Sequence, residues 1–416
     1  MTIRRILLTN LLFTLLAFYS HANPGKVQIS FMHWGGPEEI AIIKKMVAAF
    51  ESENPDIKVK IIHAANYMDK LHVMIGGGIP PDLFYLGDDN FTAFADGGAL
   101  QSMEQFRRTD TLFDEEDYYE LPLKAFIYNG ELYGLPISWT PLVLYYNKDI
   151  FDEAGVPYPD SSWTWQDFLE AAKRMTKDLN GDGEPDQFGY LVSTWWTFTL
   201  NWIWQNGGRI LSEDKTKCVM NSPETIEALQ FIQDLVWKYK VAPTAAQIAQ
   251  RDLFTTGRIG MVISGRWMVP RYRTIKEFEW GIAPLPKGKV RATPIFTTAY
   301  VMSKKCKYPE AAWRLARFMS GPKGSKFIAK LGLGVPSVKS VANSPLFLDP
   351  KKKPMNSQLY LEAAQYARLG PANPHWQEMG TIIQRELDLL WLNKKSAKEV
   401  CDTITEEVNK LLNPPK

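Results

Sequence analysis

An alternation of strand-like and helix-like segments near the start of the chain limits the folds it can adopt. Lys26–Met32 alternates as a β-strand does, and Ile40–Phe50 carries apolar residues at helical spacing. The alternation continues with strands predicted at Ile57–His63 and Asp82–Leu86, separated by a helix at Tyr67–Met74. This order predicts a parallel sheet covered by helices on both faces, and therefore an α/β fold.

Two prolines interrupt the apolar stretch 130–147. Pro136 and Pro141 stand in a run rich in Leu, Ile, Val, Tyr and Trp, and proline is excluded from central ladders except at strand starts, edges or bulges. We predict an extended segment that leaves one sheet and enters another, with three side chains exposed at the crossing, Ser138, Trp139 and Thr140. The alternative is a single hydrophobic strand with a proline at each end, because periodicity is weak over short apolar runs.

The N-terminus has the pattern of an export signal. Arg4 and Arg5 precede the apolar run Ile6–Phe18, and small residues stand at Ser20 and Ala22. This pattern predicts a signal peptide spanning residues 1–22 and a periplasmic location for the mature protein. A retained membrane anchor is the alternative, but the run is shorter than the ~20 residues that a spanning helix needs.

Length and charge restrict the function. A chain of 416 residues suggests two or three domains. Removal of the two arginines of residues 1–22 lowers the formal net charge from +2 to zero, so nucleic acid is not an expected partner. The cysteines, Cys218, Cys306 and Cys401, are too few and too far apart for a disulfide framework or a thiolate zinc site, and the sequence does not tell whether two of them are bridged.

Several short sequence motifs occur together in a characteristic order. They are Gly-Glu-Leu-Tyr-Gly-Leu-Pro at 130–136, Trp-Thr-Trp at 163–165, Asn-Gly-Gly at 206–208, Phe-Thr-Thr-Gly-Arg-Ile-Gly-Met at 254–261, Gly-Arg-Trp at 265–267, Pro-Leu-Pro-Lys-Gly at 284–288 and Pro-Glu-Ala-Ala-Trp at 309–313. With them, the chain resembles the extracellular solute-binding proteins of ABC sugar importers, the group that contains maltose-binding protein. The resemblance covers essentially the whole mature chain.

The resemblance implies a two-lobed periplasmic-binding-protein fold with a hinge of crossing segments and a ligand cleft between the lobes. The N-terminal lobe would comprise 23–136 and 292–340, and the C-terminal lobe 137–291 and 341–416. The chain would cross first at Tyr-Gly-Leu-Pro and again near Pro286–Phe296 and Pro336–Asn343. It also implies a monomer that captures a carbohydrate and delivers it to membrane permease subunits, with no catalytic residue and no required cofactor.

A sugar site needs flat aromatic rings for C–H faces and fixed polar groups for hydroxyls. By position in the family, the resemblance implies ligand contacts by Trp34, Glu38, Asp88, Asp89, Trp139, Thr140, Trp195, Trp196, Arg266, Trp267 and Trp376. Other roles remain open for some of them. Asp88 could cap the following helix, one of the adjacent pair Trp195 and Trp196 is expected in the core, and Arg266 could pair with a neighbouring acid.

A nine-residue segment matches the start of a calcium-binding loop. It has oxygen-bearing side chains at Asp178, Asn180, Asp182, Glu184 and Asp186, but Gly189 stands where the bidentate Glu is required. A structural calcium ion is therefore one interpretation, and a turn stabilised by Asx hydrogen bonds is the other.

Two other functions, an enzyme and a receptor component, would use the same types of residue. An enzyme acting on carbohydrates would need two carboxylates facing each other at roughly 5 to 9 Å, which the adjacent Asp88 and Asp89 cannot provide. A ligand-sensing lobe for a membrane receptor would use the same site as a transporter component.

We expect the exported protein to begin at Asn23. No cysteine stands at the cleavage point to accept a lipid, so the mass should equal that of residues 23–416 without an adduct. Intact-mass spectrometry of the exported protein measures this directly. Retention of residues 1–22, or a lipid adduct, would contradict the signal-peptide assignment.

Overall fold

A computed structural model describes residues 26–248 and 253–414 of the chain. The predicted signal peptide lies outside the described residues. Within them, no helix combines the length and apolar character needed to cross a bilayer. The cysteines are unbridged, with Cys218 and Cys401 buried.

The strands are short and divide between two main sheets. Their bounds are β1 (Val27–His33), β2 (Ile57–His63), β3 (Leu83–Gly87), β4 (Ile127–Tyr128), β5 (Glu131–Leu132), β6 (Gly134–Pro141), β7 (Val143–Asn147), β8 (Phe188–Leu191), β9 (Ile259–Ser264), β10 (Trp280–Ala283), β11 (Thr293–Met302), β12 (Val335–Pro336) and β13 (Ala367–Leu369).

Helices cover both sheets. Their bounds are α1 (Pro37–Glu53), α2 (Tyr67–Gly76), α3 (Asp88–Asp96), α4 (Glu104–Thr109), α5 (Glu120–Lys124), α6 (Lys148–Ala154), α7 (Trp165–Met175), α8 (Thr199–Gln205), α9 (Pro223–Trp237), α10 (Ala245–Ile248), α11 (Val269–Tyr272), α12 (Pro309–Ser320), α13 (Pro322–Leu331), α14 (Lys339–Ala342), α15 (Gln358–Ala363), α16 (Trp376–Trp391) and α17 (Ala397–Leu412).

The N-terminal lobe is built on a seven-stranded sheet with the order β12-β6-β11-β3-β1-β2, to which β13 adds by pairing with β11. The first three strands are parallel, as the strand and helix alternation predicts. β11 runs antiparallel to both β3 and β6, so the sheet as a whole is mixed.

The C-terminal lobe is built on a four-stranded sheet with the order β10-β7-β9-β8. Local sequence sets the start of two helices here. Thr164 and Asp167 form a reciprocal capping box at the start of α7, and Ser222 caps α9 with Pro223 at its first helical position.

The segment between the two prolines is a continuous strand rather than an exposed crossing. β6 lies between β11 and β12, so the prediction of exposure was wrong for Trp139, which is 1% exposed, and for Thr140, which is also buried. The ladder accommodates Pro136 because the pairing register shifts beside its partner Ala299, while Pro141 ends the strand.

The chain crosses first at Leu142, between β6 and β7, a few residues after the expected boundary. After β12 the chain contacts both lobes. Asn356 donates to the Ile282 carbonyl oxygen of β10 and the Tyr360 hydroxyl lies 2.7 Å from that of Tyr145 in β7, whereas Ala367–Leu369 pairs with Thr293–Ile295 of β11. The boundary expected at residues 340 and 341 stays a prediction.

Gly189 is expected to be essential for the packing of β8 on α7. A Cβ at this position would lie 2.2 Å from the Ala172 carbonyl oxygen, and that oxygen belongs to the helix backbone and cannot rotate away. Gly189→Ala should destabilise the protein by about 1 to 3 kcal/mol, measured by urea unfolding.

Gly76→Ala is the matched control, because a Cβ at Gly76 has nothing within 4 Å. At this helical position alanine should leave stability unchanged or raise it by about 0.5 to 1 kcal/mol. Equal effects of the two substitutions would show that close backbone approach does not explain Gly189.

Candidate ligand-binding cleft

A cleft of about 430 Å³ lies between the lobes. Its walls come from the residues that follow β1 and β3 in the large sheet and β8 and β9 in the small sheet. Open α/β sheets bind ligands beyond the carboxyl ends of their strands, and here two sheets present those ends to each other. The cleft is therefore the candidate functional site.

Three aromatic rings form one wall of the cleft, and a fourth ring, Phe198, packs against them. Phe296 of β11 stacks on Trp195, with ring centroids 5.7 Å apart and planes 25° apart. Trp267 meets Phe296 edge-on at 5.5 Å, and Phe198 packs against Trp267 at 6.3 Å. Trp195 is 47% exposed, so the wall presents a broad apolar surface to a ligand in the cleft.

The position of Trp267 depends on the glycine two residues before it. A Cβ on Gly265 would lie 2.2 Å from the indole ring of Trp267, so the ring can fold back over this turn only because Gly265 has no side chain. The Gly-x-Trp phrase of the sequence is thus a geometric requirement for this wall.

The opposite wall is shorter and contains Trp34. Its indole is held edge-on by Tyr67 at 4.9 Å and by Tyr85 at 5.1 Å. Tyr67 donates a hydrogen bond to the Tyr85 backbone carbonyl oxygen at 2.7 Å, which holds the Tyr67 ring against β3. Trp34 is therefore a rigid, partly buried platform on the N-terminal lobe.

Two adjacent carboxylates lie at the start of α3. Burial, reinforced by the negative charge of Asp89, raises the pKa of Asp88 to about 8, and burial raises the pKa of Asp89. The Thr297 N–H donates to Asp88 Oδ1 at 3.1 Å, and the Asn90 amide donates to Asp89 Oδ1 at 2.9 Å. These bonds orient the pair and leave other lone pairs for a ligand.

Glu39, in the first turn of α1, is a third carboxylate in the cleft. Burial raises its pKa to about 7, and the nearby Tyr85 hydroxyl partly opposes this shift. Its carboxyl packs close to Gly35, whose φ of +134° lies in the region that favours glycine.

Two buried polar groups in residues that line the cleft have no hydrogen-bond partner. They are the Trp139 indole N–H and the Thr197 hydroxyl, in residues that are 1% and 6% exposed. An unpaired buried polar group costs about 1 to 3 kcal/mol, so hydrogen bonding to a ligand would recover free energy.

The structure brings most of the predicted site residues together and separates the others. The cleft is lined by Trp34, Asp88, Asp89, Trp139, Thr140, Trp195 and Trp267. It is not lined by Glu38, Trp196, Arg266 or Trp376. Glu38 points to solvent, and its neighbour Glu39 occupies the cleft because successive helical residues face different directions.

Arg266 lies beneath the hinge and not in the cleft. It is 1% exposed, with its guanidinium 4.4 Å from the Phe347 ring centroid and 5.1 Å from that of Tyr360. No carboxylate pairs with it among residues 26–248 and 253–414. Its backbone N–H donates to Thr140 Oγ1 at 2.9 Å and thereby joins the Gly-x-Trp turn to β6. This position fits a structural role.

Trp196 and Trp376 pack together at 4.9 Å beside an outer groove of about 490 Å³. Both are buried, so the adjacent pair Trp195 and Trp196 divides between surface and core. The groove shares Asp89, Trp195 and Thr197 with the cleft and continues along α16. A ligand in the cleft could therefore extend outwards past Trp195.

Several cleft residues were missed by the sequence reasoning. Phe296 lies in the segment predicted as the second crossing but carried no motif of its own. Glu39 stands beside the predicted Glu38, and Thr197 follows the two predicted tryptophans. Only their contacts across the lobes identify them.

The predicted calcium loop is closed by its own hydrogen bonds. Asp178 accepts bonds from the backbone N–H groups of Gly181 and Gly183 at 2.7 and 2.8 Å, and Asp186 accepts from those of Leu179 and Asn180. In the part of the chain that the structure describes, no three His, Cys, Asp or Glu residues are grouped so as to hold a metal ion. The geometry agrees with the Asx-turn interpretation, and calcium binding stays a prediction that melting with calcium or a chelator would test.

Asp88→Asn should stabilise the ligand-free protein at alkaline pH. A raised pKa means that the folded state holds the proton more tightly than the unfolded state, so the stability contribution of Asp88 is full at acid pH and is lost as pH rises to about 8. Asparagine keeps an acceptor for Thr297 and carries no charge.

We expect the free energy of unfolding of the variant to match that of the wild type near pH ~4 and to exceed it by about 1 to 3 kcal/mol above pH ~8. This range allows for screening of the Asp88 charge by solvent. Urea unfolding across this pH range measures the difference. Asp114→Asn, which changes an exposed acid, is the control. A difference that is independent of pH would contradict the assignment.

Known proteins are similar to this chain in sequence and in structure. The family described as bacterial extracellular solute-binding protein matches residues 35–326. A solved ABC substrate-binding protein of Listeria monocytogenes in complex with cycloalternan is 30% identical, with a TM-score of 0.86 over 93% of this chain and 99% of that one. A maltotriose-binding protein of Pyrococcus abyssi is 25% identical over 90% of this chain and 80% of its own length. A galactooligosaccharide-binding protein of Bacillus subtilis is 26% identical over 90% of this chain and 87% of its own length.

Proposed function

Because the chain belongs to the bacterial extracellular solute-binding protein family, we propose that it is the substrate-binding component of an ABC transporter and captures a sugar or oligosaccharide in the interlobe cleft. The observation that carries the proposal is the aromatic wall of Trp195, Trp267 and Phe296 facing the carboxylates of Asp88 and Asp89. Rings cover the C–H face of a sugar, and carboxylates accept bonds from its hydroxyls.

The relatives support this ligand class. Those named above bind maltotriose, galactooligosaccharide and cycloalternan, all carbohydrates. They are binding proteins, in agreement with the prediction that this chain is not an enzyme. The outer groove that continues past Trp195 gives room for a ligand longer than one sugar ring.

The proposed function includes delivery of the bound sugar to the membrane. The proposed cycle begins in the periplasm, where the exported monomer binds its sugar, and ends when the loaded protein docks on membrane permease subunits. Gln377 of α16 already donates a hydrogen bond to the Asp89 carbonyl oxygen of α3 at 3.4 Å, which joins the two lobes at the cleft mouth. A bound ligand would add contacts across the same gap and favour the closed arrangement.

A panel of neutral sugars and oligosaccharides tests the proposal by thermal melting. Binding stabilises the folded state by about 2.7 kcal/mol at a ligand concentration one hundred times the dissociation constant. Absence of any shift across the panel would contradict carbohydrate binding, and steady release of hydrolysis products would favour an enzyme.

Trp267→Ala tests the aromatic wall. Loss of the indole should weaken sugar binding by roughly 1 to 3 kcal/mol in calorimetric titration, with little change in ligand-free stability. If the ring is instead a core element, truncation should cost about 3 to 5 kcal/mol of folding free energy. Trp237→Ala, at a partly exposed tryptophan on α9, is the control and should leave sugar affinity unchanged.

A further inference from the structure

The charged groups of the cleft are all of one sign. Glu39, Asp88 and Asp89 line it, and none of the described residues that line it is Lys, Arg or His. The one arginine expected there, Arg266, is buried beneath the hinge against Phe347 and Tyr360.

No protein cation compensates these carboxylates. Their hydrogen-bond donors are neutral, namely the Thr297 N–H for Asp88 and the Asn90 amide for Asp89. Glu39 faces the Tyr85 hydroxyl. Throughout 26–248 and 253–414, no lysine or arginine forms an ion pair with any of the three acids. The charge of a bound ligand therefore interacts directly with these carboxylates, without a neutralising protein cation.

The unpartnered groups provide an independent indication of ligand chemistry. The Thr197 hydroxyl, buried in the cleft wall, can donate or accept, and the Trp139 indole N–H can only donate. Ionised carboxylates can only accept. Sugar hydroxyls, which donate and accept, can satisfy both the unpartnered groups and the carboxylates, whereas a phosphate or carboxylate on the ligand would suit only the donors and would place acceptor against acceptor at Asp88 and Asp89.

Resting on the proposed carbohydrate function, we propose that Glu39, Asp88 and Asp89 select ligands by charge. Uncharged and amine-bearing carbohydrates enter the cleft, and carbohydrates that carry a phosphate or carboxylate are excluded. Repulsion between like charges a few ångströms apart is strong where apolar walls exclude water, and Trp34, Trp195 and Trp267 supply such walls.

The raised pKa values are consistent with this selection. Burial without a cationic partner raises the pKa of Asp88 to about 8 and that of Glu39 to about 7, so an anionic group of a ligand would oppose their ionisation further. A basic amine on the ligand would instead hold them ionised and pair with them.

Calorimetric titration of the mature wild-type protein at pH ~8, where Glu39 and a large part of Asp88 are ionised, tests the proposal with charge-matched probes. The probes are the trimers of glucose, galactose and N-acetylglucosamine, each with two derivatives in which the terminal primary alcohol is replaced by an amine or oxidised to a carboxylate. We expect the carboxylate form to bind at least about tenfold more weakly than its neutral parent, and the amine form to bind at least as tightly as the parent. A carboxylate form that binds as tightly as its parent would overturn the proposal.

The double variant Asp88→Asn/Asp89→Asn assigns the effect to these residues. We expect the ratio of neutral to anionic affinity to shrink by at least about threefold, even where both affinities fall. The control Asp114→Asn/Glu213→Gln removes the same charge from exposed positions and should keep the wild-type ratio. An unchanged ratio in the Asp88/Asp89 variant, with a native melting profile, would contradict the assignment.

The outcomes also separate this inference from the proposed function. If no trimer of any charge binds, carbohydrate capture itself fails and charge selection fails with it. If neutral and anionic trimers bind equally, carbohydrate capture stands and only the charge selection is overturned.

Discussion

The antiparallel pairing of β6 with β11 is the constraint on which the two-lobed structure depends. These strands pair from Gly134–Val301 to Pro141–Ile295, and both lead directly towards the second sheet. Where the two strands leave the large sheet, the Leu142 N–H donates a hydrogen bond to the Thr293 hydroxyl at 3.1 Å. The Thr293 hydroxyl in turn can donate to the Leu142 carbonyl oxygen at 3.0 Å. Two chain crossings are thereby held side by side, and a hinge forms where the ladder ends.

The same pairing assembles the cleft. Phe296 lies on β11 near the crossing. Through Phe296, this strand of the N-terminal lobe contacts Trp195 and Trp267 of the C-terminal lobe. Thr140, on the paired strand β6, accepts the backbone bond from Arg266 that fixes the turn holding Trp267. The aromatic wall is therefore shared by both lobes, and a ligand stacked on it contacts both sides of the hinge.

The cleft combines an apolar wall with acids that have no protein counter-charge. Burial of Asp88 and Glu39 among aromatic rings raises their pKa values and destabilises the ionised, ligand-free site. The buried hydroxyl of Thr197 and the indole N–H of Trp139 are also left unpaired. Such a site is less stable empty than filled, as expected where structure is maintained for binding.

The sequence alone determined the α/β class through local periodicity, and the helix caps at Thr164 and Ser222 through turn chemistry. The resemblance to a family, and not periodicity, indicated Trp34, Trp195 and Trp267 as cleft residues. The position of Arg266, the burial of Trp139 and the choice of Glu39 over Glu38 were decided only by the tertiary structure. Each depends on which strand or helix packs against the residue from a distant part of the chain. A single sequence carries no local signal for such contacts, since the side chain is the same whether it faces a cleft, a core or solvent.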